Sequence, residues 1–358
     1  MADTADQARD AGRNVPDSMA HKRMLSILTS SWIAQACLAI AELRVPDLLA
    51  DGPRTAEELA AGSGADRNAL RRILSALASA GLLRETVPGT FGLTASTELL
   101  RSHSPASVRS SVLMYGNEVF RSFADIMHTV RTGRPAFDWV YGKSFYAYLD
   151  EHPEVDWTFS TAQGSLPVPS VLSTCDFSGV RTLVDIGGGN GGLVGQLLAA
   201  HPAMRAVLVE RPEVVRRAAD HLACLGFLDR VDLVTDDFFH AVPAGADVYV
   251  LSRCLHNWTD DNAIAILETA GRAMAPGSRL IVLEEFLQDG PSPAQDARDN
   301  PGAGSAKLVD LLMLVMLEGH DRSEREYRAL LAEAGFEILA VRPAPDRRSE
   351  GVIEARIA

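Results

Sequence analysis

The chain has 358 residues, of which 47% are hydrophobic, and its formal net charge is −13. This length exceeds the usual size of one domain, and the apolar fraction can supply the cores of two folded units. The acidic balance argues against a large nucleic-acid footprint, because phosphate binding needs clustered Lys and Arg. An acidic globular enzyme fits this composition better.

Residues 1–17 are polar and rich in Ala, and they are predicted to be a disordered tail without a signal core. The cysteines (Cys37, Cys175, Cys224, Cys254) are scattered and form no CxxC pair. Together these features predict a reduced, cytoplasmic protein. No apolar run reaches the roughly 18 residues that a membrane helix needs, so no membrane contact is expected.

The stretch "MLSILTSSWIAQACLAIAELRVPDLLA" predicts a long helix that Pro46 ends or kinks. Over residues 22–45 this helix is apolar on nearly every side, which requires burial on nearly every side. A second copy of the chain is the natural cover. The sequence therefore predicts a homodimer.

Next along the chain, Thr55 and Glu58 have the spacing of a capping box, and Asp66 can cap a second helix. A hairpin is then expected around Pro88-Gly89. Helix, turn, helix and hairpin make a winged-helix pattern, so residues 18–104 are predicted to be a mainly helical winged-helix dimerisation domain.

A winged helix can also bind DNA, and the second helix carries Arg67, Arg71 and Arg72. A solvated helix face explains three arginines equally well, and the chain as a whole is strongly acidic. The favoured interpretation is an interaction module, with no nucleic-acid partner.

Residues 105–178 are predicted to be a helical, pocket-forming segment. Most of its aromatic side chains are expected to pack in a core, while Trp139, Phe159 and Gln163 are candidates to cover a ligand pocket. From residue 179 to 358, short Val/Leu/Ile runs alternate with amphipathic helices, which predicts a doubly wound α/β domain with a mostly parallel sheet. Residues 288–305 are rich in Pro, Gly and Asp and are expected to be a mobile loop.

The segment "LVDIGGGNGGL" carries the clearest ligand signal. Gly187, Gly189 and Gly192 match G-x-G-x-x-G after a predicted strand, where glycines let the backbone approach a nucleotide. Asp185 precedes them, and Glu210 ends the next strand, where an acid normally holds a ribose diol. NAD and S-adenosylmethionine (SAM) sites share these features, so the pattern narrows the ligand to an adenine nucleoside.

Two further strand ends carry polar groups. "VDLVTDDFF" ends in Asp236, Asp237 and Phe238, which can offer carboxylates and a ring to adenine. "DVYVLSRCLHNWTDD" places His256 just past a strand end, where ligands meet open α/β sheets. An acid-rich strand end can be a solvated loop, and a lone His can be structural.

In order, "LVDIGGGNGG", "LVERPEVV", "TDDFF", "LSRCLHNWTDDNAIAIL" and "RLIVLEE" resemble SAM-dependent O-methyltransferases of the caffeic-acid type. The similarity extends to actinobacterial relatives that methylate phenols of aromatic polyketides and other quinoid natural products, and it covers nearly all of the chain beyond residue 20. It implies a Rossmann-like SAM-binding α/β domain, a homodimer, a phenolic or quinoid substrate and no metal.

The resemblance also implies residue roles. His256 matches the general base, Glu284 the acid that orients it, and Asp321 a second acid beside it. Glu210 would bind the ribose hydroxyls. The implied cofactor contacts are Gly187, Gly189, Glu210, Asp236, Asp237, Phe238, Ser252 and Arg253. The candidate substrate contacts are Phe159, Gln163, Asn257, Asp310, Met313, Met316 and Leu317.

The chemistry of methyl transfer agrees with these residue types. A phenol, with a pKa of about 10, must lose its proton to attack a sulfonium methyl group, and an imidazole can accept that proton. An acid behind the ring fixes its tautomer and stabilises the imidazolium. The sequence shows no His/Asp/Glu cluster at metal-ligand spacing.

Some positions depart from the family pattern. Asn257 stands where Asp is common, Gln163 where plant members often have Met, and Pro167 where they have Ser. A different acceptor from a small phenylpropanoid is therefore expected. The Met313, Met316 and Leu317 stripe suits either core packing or a flat polycyclic ligand.

Three alternatives stay open from the sequence. The fold could retain SAM but be diverted to hydroxylation or decarboxylation of a similar aromatic substrate. The glycine loop could serve an NAD-dependent oxidoreductase, or the winged helix could belong to a ligand-sensing regulator.

Overall fold

The computed structural model describes residues 18–104, 106–166, 168–287, 306–343 and 350–358. The predicted disordered tail, the predicted loop at 288–305 and Pro167 lie outside them. The chain forms two compact units that divide between Gly116 and Asn117. The segment predicted as a separate pocket-forming region, 105–178, is thus shared between the two units.

The first unit combines helices with a small antiparallel sheet. Its sheet has the strand order β1-β3-β2. The helices are α1 (Ser18–Glu42), α2 (Val45–Leu48), α3 (Ala56–Ser63), α4 (Arg67–Ser79), α5 (Ala95–Glu98) and α6 (Arg109–Met114), and the strands are β1 (Arg54–Thr55), β2 (Leu83–Val87) and β3 (Thr90–Leu93).

Local signals in the sequence define this unit. Thr55 and Glu58 form the predicted capping box at the start of α3, and the Asp66 carboxylate accepts a hydrogen bond from the third residue of α4 at 2.8 Å. Gly89 has the left-handed conformation (φ +79°) that the turn between β2 and β3 requires. The predicted winged-helix pattern is confirmed.

The long N-terminal helix differs from the expectation at its C-terminal end and in its membrane-spanning length. It ends at Glu42, before Pro46, because Arg44 adopts a left-handed conformation (φ 53°), and Pro46 instead lies in the first turn of α2. Contrary to the sequence expectation, Met19–Glu42 is long and apolar enough to cross a membrane. A core helix of a soluble protein or a signal sequence can meet the same criterion, so this feature alone carries no membrane assignment.

The second unit begins with a group of short helices. A π-helical turn (Tyr115–Val119) leads into α7 (Phe120–Ala124), α8 (Ile126–Thr132), α9 (Ala136–Tyr141), α10 (Phe145–Glu151) and α11 (Pro153–Gly164). Phe137 contacts the rings of Tyr141, Phe145 and Tyr148, with centroids 4.4–5.5 Å apart. These aromatic residues form a local core, as the sequence predicts for most of them.

A seven-stranded sheet follows, with strand order β6-β5-β4-β7-β8-β10-β9. Strands β4 to β8 are parallel, and β10 runs antiparallel to β8 and β9. The strands are β4 (Thr182–Ile186), β5 (Arg205–Glu210), β6 (Val231–Thr235), β7 (Val248–Ser252), β8 (Arg279–Glu285), β9 (Phe336–Pro343) and β10 (Glu350–Ile357). The helices are α12 (Gly192–Ala200), α13 (Pro212–Cys224), α14 (Asp260–Ala273), α15 (Ala306–Met316) and α16 (Glu324–Glu333).

Successive residues of each central strand enter different cores. Leu183 packs with α12 and α13 on one face of the sheet, whereas Val184 packs with α14 and α16 on the other. Side chains alternate between faces along a strand, so a strand covered on both sides must be apolar throughout. This arrangement confirms the predicted doubly wound α/β fold.

Candidate active site

The parallel strands β4 to β8 all end at the same edge of the sheet. Gly187 follows β4, Asp236 follows β6 and Arg253 follows β7, and Glu210 is the last residue of β5. In open α/β sheets this carboxyl edge is where ligands bind. The predicted cofactor positions therefore come together at one place.

The glycine loop after β4 turns tightly into α12. Gly187 and Gly189 are both left-handed, with φ of +72° and +57°. Between them, a Cβ on Gly188 would lie 2.6 Å from a carboxylate oxygen of Asp185. A side chain at residue 188 would have to displace the buried Asp185 carboxylate, so glycine allows the close approach of the loop to the end of β4.

Glu210 joins this loop to the end of β5. Its Oε1 accepts a hydrogen bond from the Gly189 N–H at 3.1 Å, and its Oε2 accepts one from the Arg211 N–H at 2.9 Å. Burial raises the pKa of this carboxyl above its usual range. The carboxylate is thus fixed beside the loop, where a ribose diol can donate to it.

Asp185 has a role that the sequence interpretation missed, having used it only as part of a spacing pattern. It is 1% exposed, and neither carboxylate oxygen has a hydrogen-bond partner among the described residues. Burial, with the nearby Glu210 carboxylate, raises its pKa to about 7. Because a buried carboxylate without a partner is costly, the site fits a cationic ligand group such as an ammonium. An acid within an otherwise apolar buried strand is the signal that could have identified it.

Asp236, Asp237 and Phe238 follow β6. Asp236 accepts a hydrogen bond from the Asp237 N–H at 2.8 Å, and Asp237 accepts one from the Phe239 N–H at 3.0 Å. Both acids are exposed, while Phe238 is half-buried. The loop thus holds two carboxylates in defined positions at the sheet edge, as an adenine contact would need.

A stacked group of side chains beside Glu210 was also missed. The ring of Tyr146, on α10, stacks on Trp258 with centroids 5.3 Å apart, and the Arg211 guanidinium lies 5.7 Å from the Tyr146 centroid. Burial, followed by the Cys254 thiol and Glu210, raises the pKa of Tyr146. Its place along the chain, far from the glycine loop, gave no sequence signal.

Arg211 also ties α11 to the end of β5. It pairs with Asp156, which is 1% exposed and also pairs with Arg217 of α13. The helix carrying the predicted substrate contacts Phe159 and Gln163 is therefore anchored next to Glu210.

The backbone turn after β7 is the next part of the site. Ser252 ends the strand, and Arg253 is left-handed (φ 49°), which is strained for a residue with a Cβ.

The Arg253 side chain points toward a carboxylate of β10. Its guanidinium lies 3.4 Å from the Glu350 Oε1, and its backbone N–H donates to Leu283 at 2.9 Å. What Arg253 contributes at the sheet edge is the sharp turn that leads to His256.

His256 lies in a 3₁₀ turn, Leu255–Asn257, and is 8% exposed. Its Nδ1 is 2.8 Å from the Asp321 Oδ1 but 3.9 Å from the Glu284 Oε2. The Glu284 Oε1 instead accepts hydrogen bonds from the N–H groups of Cys254 and Leu255 at 2.9 and 2.8 Å. In this geometry Asp321 bonds the ring, and Glu284 holds the backbone of the turn with its Oε2 close to the same nitrogen.

These contacts set the protonation of the imidazole. Burial alone lowers the pKa of His256, but Glu284 and then Asp321 raise it by more, so the net shift is upward. Because a carboxylate only accepts, the Nδ1 carries a proton and the Nε2 is the free basic nitrogen. The second oxygens of Glu284 and Asp321 have no hydrogen-bond partner among the described residues, which leaves negative charge available to stabilise an imidazolium.

The predicted substrate contacts on and next to α11 and α15 differ in how deeply they are buried. Met313 and Met316 are buried on α15, and Phe159 packs edge-on against Phe145 at 5.0 Å. Leu317 is half-buried just after α15, and Gln163 is exposed near the end of α11.

Asn257 and Asp310 contact the protein itself. The Asn257 side chain donates to the Arg253 carbonyl at 3.3 Å, and the Asp310 carboxylate accepts from the Asp321 N–H at 3.1 Å. Both therefore support the loops that carry His256 and Asp321. No group of three His, Cys, Asp or Glu with metal-binding geometry occurs within the described ranges.

Comparison with known proteins gives two family matches. Residues 123–337 match an O-methyltransferase domain, and residues 25–102 match an O-methyltransferase dimerisation domain. The dimerisation match covers most of α1 and the winged-helix pattern. It gives the exposed apolar helix an explanation other than a membrane.

Two named relatives are O-methyltransferases, in agreement with the family matches. The chain is 39% identical to the phenazine O-methyltransferase PhzM of Lysobacter antibioticus over 336 residues, covering 93% of this chain and 95% of the relative. It is 38% identical to the 3-amino-4-hydroxybenzoate 4-O-methyltransferase of Streptomyces cremeus over 341 residues, covering 94% and 90%.

A solved structure also matches. It is an O-methyltransferase from neocarzinostatin biosynthesis in complex with SAM and 2-hydroxy-5-methyl naphthoic acid, with a TM-score of 0.76 and 32% identity over 91% of this chain and 96% of that one. Of the two ligands that the glycine loop left open, these findings select SAM over NAD. They give no support to hydroxylation or decarboxylation.

Proposed function

Since this chain belongs to the SAM-dependent O-methyltransferases, we propose that it methylates a phenolic hydroxyl of an aromatic natural product of the quinone or polyketide type, with His256 as the general base. SAM, when bound, supplies an electrophilic methyl group on a sulfonium. The chain's own residues bind and orient the reactants and accept the proton.

The residues at the carboxyl edge fit SAM. Glu210 would accept the ribose hydroxyls, Asp237 and Phe238 would contact adenine, and the glycine loop would lie along the methionine portion. The buried, unpartnered carboxylate of Asp185 suits the ammonium of the methionine portion. A cationic cofactor at an edge with several carboxylates is electrostatically favourable.

His256 would accept the phenolic proton at its Nε2. The Asp321 hydrogen bond fixes the ring and tautomer, and Glu284 adds negative charge 3.9 Å from the Nδ1. As the imidazole becomes positive, these carboxylates stabilise it. Because the cofactor is already activated, holding the two reactants in line supplies much of the remaining rate enhancement.

The acceptor class is supported by the relatives, which are named for a phenazine and an aminohydroxybenzoate, and by a neighbour bound to a naphthoic acid. Flexible Met313 and Met316 suit a flat polycyclic ring. We further propose a soluble, cytoplasmic enzyme, in keeping with its four unpaired cysteines.

The observation that carries the proposal is the buried His256–Asp321 hydrogen bond at the cofactor edge. We expect His256→Gln to retain SAM binding by calorimetry while kcat with a hydroxylated quinone falls about 100- to 10,000-fold, as loss of a general base does. The control is His201→Gln, since His201 lies after α12 at the opposite edge of the sheet.

Mass spectrometry of the product separates the alternatives. Gain of one methyl group on oxygen supports the proposal, whereas an added hydroxyl or lost carbon dioxide would identify diverted chemistry. Full activity of His256→Gln would remove His256 from its assigned role.

A further inference from the structure

Residues 319–322, between α15 and α16, contact the His256 turn at several points, and we call them the clasp. Asp321 of the clasp bonds the His256 ring. The clasp is also attached to the end of β8, since the Leu287 N–H donates to the Arg322 carbonyl at 3.0 Å. It therefore connects the strand carrying Glu284 with the turn carrying His256.

Arg322 is 0% exposed and uses its guanidinium to hold the backbone around His256. One terminal nitrogen donates to the Leu255 carbonyl at 3.0 Å and the other to the Trp258 carbonyl at 2.8 Å. These carbonyls lie on either side of the His256-Asn257 pair. The Nε donates to Asp260, at the start of α14, at 2.9 Å.

Gly319 brings the clasp against the same backbone. A Cβ there would lie 2.2 Å from the His256 carbonyl oxygen and 2.3 Å from the Asn257 carbonyl carbon. Backbone atoms cannot move aside as the end of a side chain can. The absence of a side chain at residue 319 is therefore required for the clasp to touch the turn.

We propose that Arg322 is a positioning residue for His256, and that the clasp sets the backbone of the base and the direction of its ring together. The inference rests on the proposed function, in which His256 is the base. Removing a guanidinium from water is costly unless its donors are all satisfied. Two of the acceptors that satisfy it, the Leu255 and Trp258 carbonyls, flank His256 and Asn257, so contacts that offset its burial also fix the turn.

Arg322→Lys tests the proposal, because lysine keeps the charge but cannot span two carbonyls with a planar fork. We expect kcat to fall about 10- to 100-fold, since a displacement of about 1 Å at a reacting group has an effect of this size. SAM affinity should stay within about twofold, because the clasp's hydrogen bonds go to the His256 turn, α14 and the end of β8 rather than to the glycine loop.

The pH profile gives a readout that a loss of stability alone would not move. Glu284 and Asp321 raise the pKa of His256, whereas burial and Arg253 lower it. If the His256 ring no longer bonds Asp321, it loses part of the increase in its pKa. The acid limb of kcat/KM should therefore move to lower pH in Arg322→Lys.

Arg230 supplies a matched control. It also donates to backbone carbonyls, those of Leu198 and Met204, and its guanidinium lies 5.7 Å from the ring of Phe227, but it lies before β6 at the other edge of the sheet. Arg230→Lys should lower the melting temperature without changing kcat or the pH profile. If Arg322→Lys behaves like Arg230→Lys, the proposal is overturned.

If Arg322→Lys does not fold, Gly319→Ala tests the same contact and should lower kcat with SAM binding retained.

Adding Arg322→Lys to His256→Gln should lower kcat no further, since both changes act through one group. An additive effect contradicts the inference. Full activity of His256→Gln alone defeats the proposed function, whereas a collapse there with unchanged Arg322→Lys defeats only this inference.

Discussion

The most informative single residues of this protein are buried ionisable groups with incomplete pairing. Asp185, Glu284 and Asp321 all have buried carboxylate oxygens without a hydrogen-bond partner among the described residues. Such atoms destabilise a fold unless a ligand or a proton satisfies them. These negatively charged groups fit a cationic cofactor, and under the proposed function Glu284 and Asp321 would also stabilise the imidazolium of His256.

Asp185 provides a pH-dependent prediction at this scale. Its pKa of about 7 exceeds that of an unfolded carboxyl, about 3.9. The native state therefore holds the proton longer than the unfolded state, and the resulting stability is lost as pH rises from about 4 to about 7. Without SAM, we expect Asp185→Asn to have a melting temperature that increasingly exceeds that of the native protein over this range.

With SAM bound, we expect the native protein to have the higher melting temperature of the two, because only the native carboxylate can pair with the cofactor's ammonium. Thermal melts from pH 4 to 8, with and without SAM, measure both effects, and Asp220→Asn on the exposed face of α13 controls for the lost charge. If the melting temperatures of Asp185→Asn and Asp220→Asn change with pH in the same way across this range, the assignment of Asp185 is contradicted.

At the scale of elements, one ion-pair network joins the helical segment to the sheet edge. Asp156 of α11 is buried between Arg211, next to Glu210, and Arg217 of α13. Removing one partner from a buried pair leaves the others uncompensated and typically costs about 3–5 kcal/mol. The Asp156 carboxylate thus ties α11 to Arg211, the residue that follows Glu210.

We expect Asp156→Asn to lower the melting temperature and to weaken SAM binding, because Arg211 is freed beside Glu210. Differential scanning and titration calorimetry measure these two quantities. Asp150→Asn is the matched control, since Asp150 contacts the same Arg211 but is largely exposed and should have a small effect. Unchanged SAM affinity in Asp156→Asn would show that the network is structural only.

At the scale of the whole molecule, α1 has an apolar surface that the described residues leave uncovered. Met24, Ile27, Leu28 and Trp32 are 58–71% exposed. A contiguous apolar surface of this kind on a helix marks an interaction site. The match of residues 25–102 to a dimerisation domain identifies a second copy of the chain as its cover.

We expect the protein to be a homodimer and Trp32→Glu to shift it toward monomer, because a charge would be buried at the interface. Light scattering at micromolar concentration measures the mass. Val87→Glu is the control, since Val87 is also an exposed apolar residue of the first unit but lies on β2. A native protein that is monomeric under these conditions would contradict the expectation.

The sequence by itself determined the features that depend on near neighbours along the chain. The capping box at Thr55, the turn at Gly89, the parallel strands and the glycine loop all follow from local backbone preferences and hydrophobic periodicity. The resemblance also directed attention to His256, Glu284 and Asp321 before any geometry was known.

Only the tertiary structure decided which of those groups touch. That Asp321 rather than Glu284 bonds the His256 ring, that Arg253 faces Glu350, and that Arg322 holds the turn are contacts between residues more than 60 positions apart. Their geometry is set by how helices and strands pack, and a shift of about 1 Å exchanges one hydrogen-bond partner for another. No local preference encodes a distance of that kind, so the division of labour at the site emerges only from the folded chain.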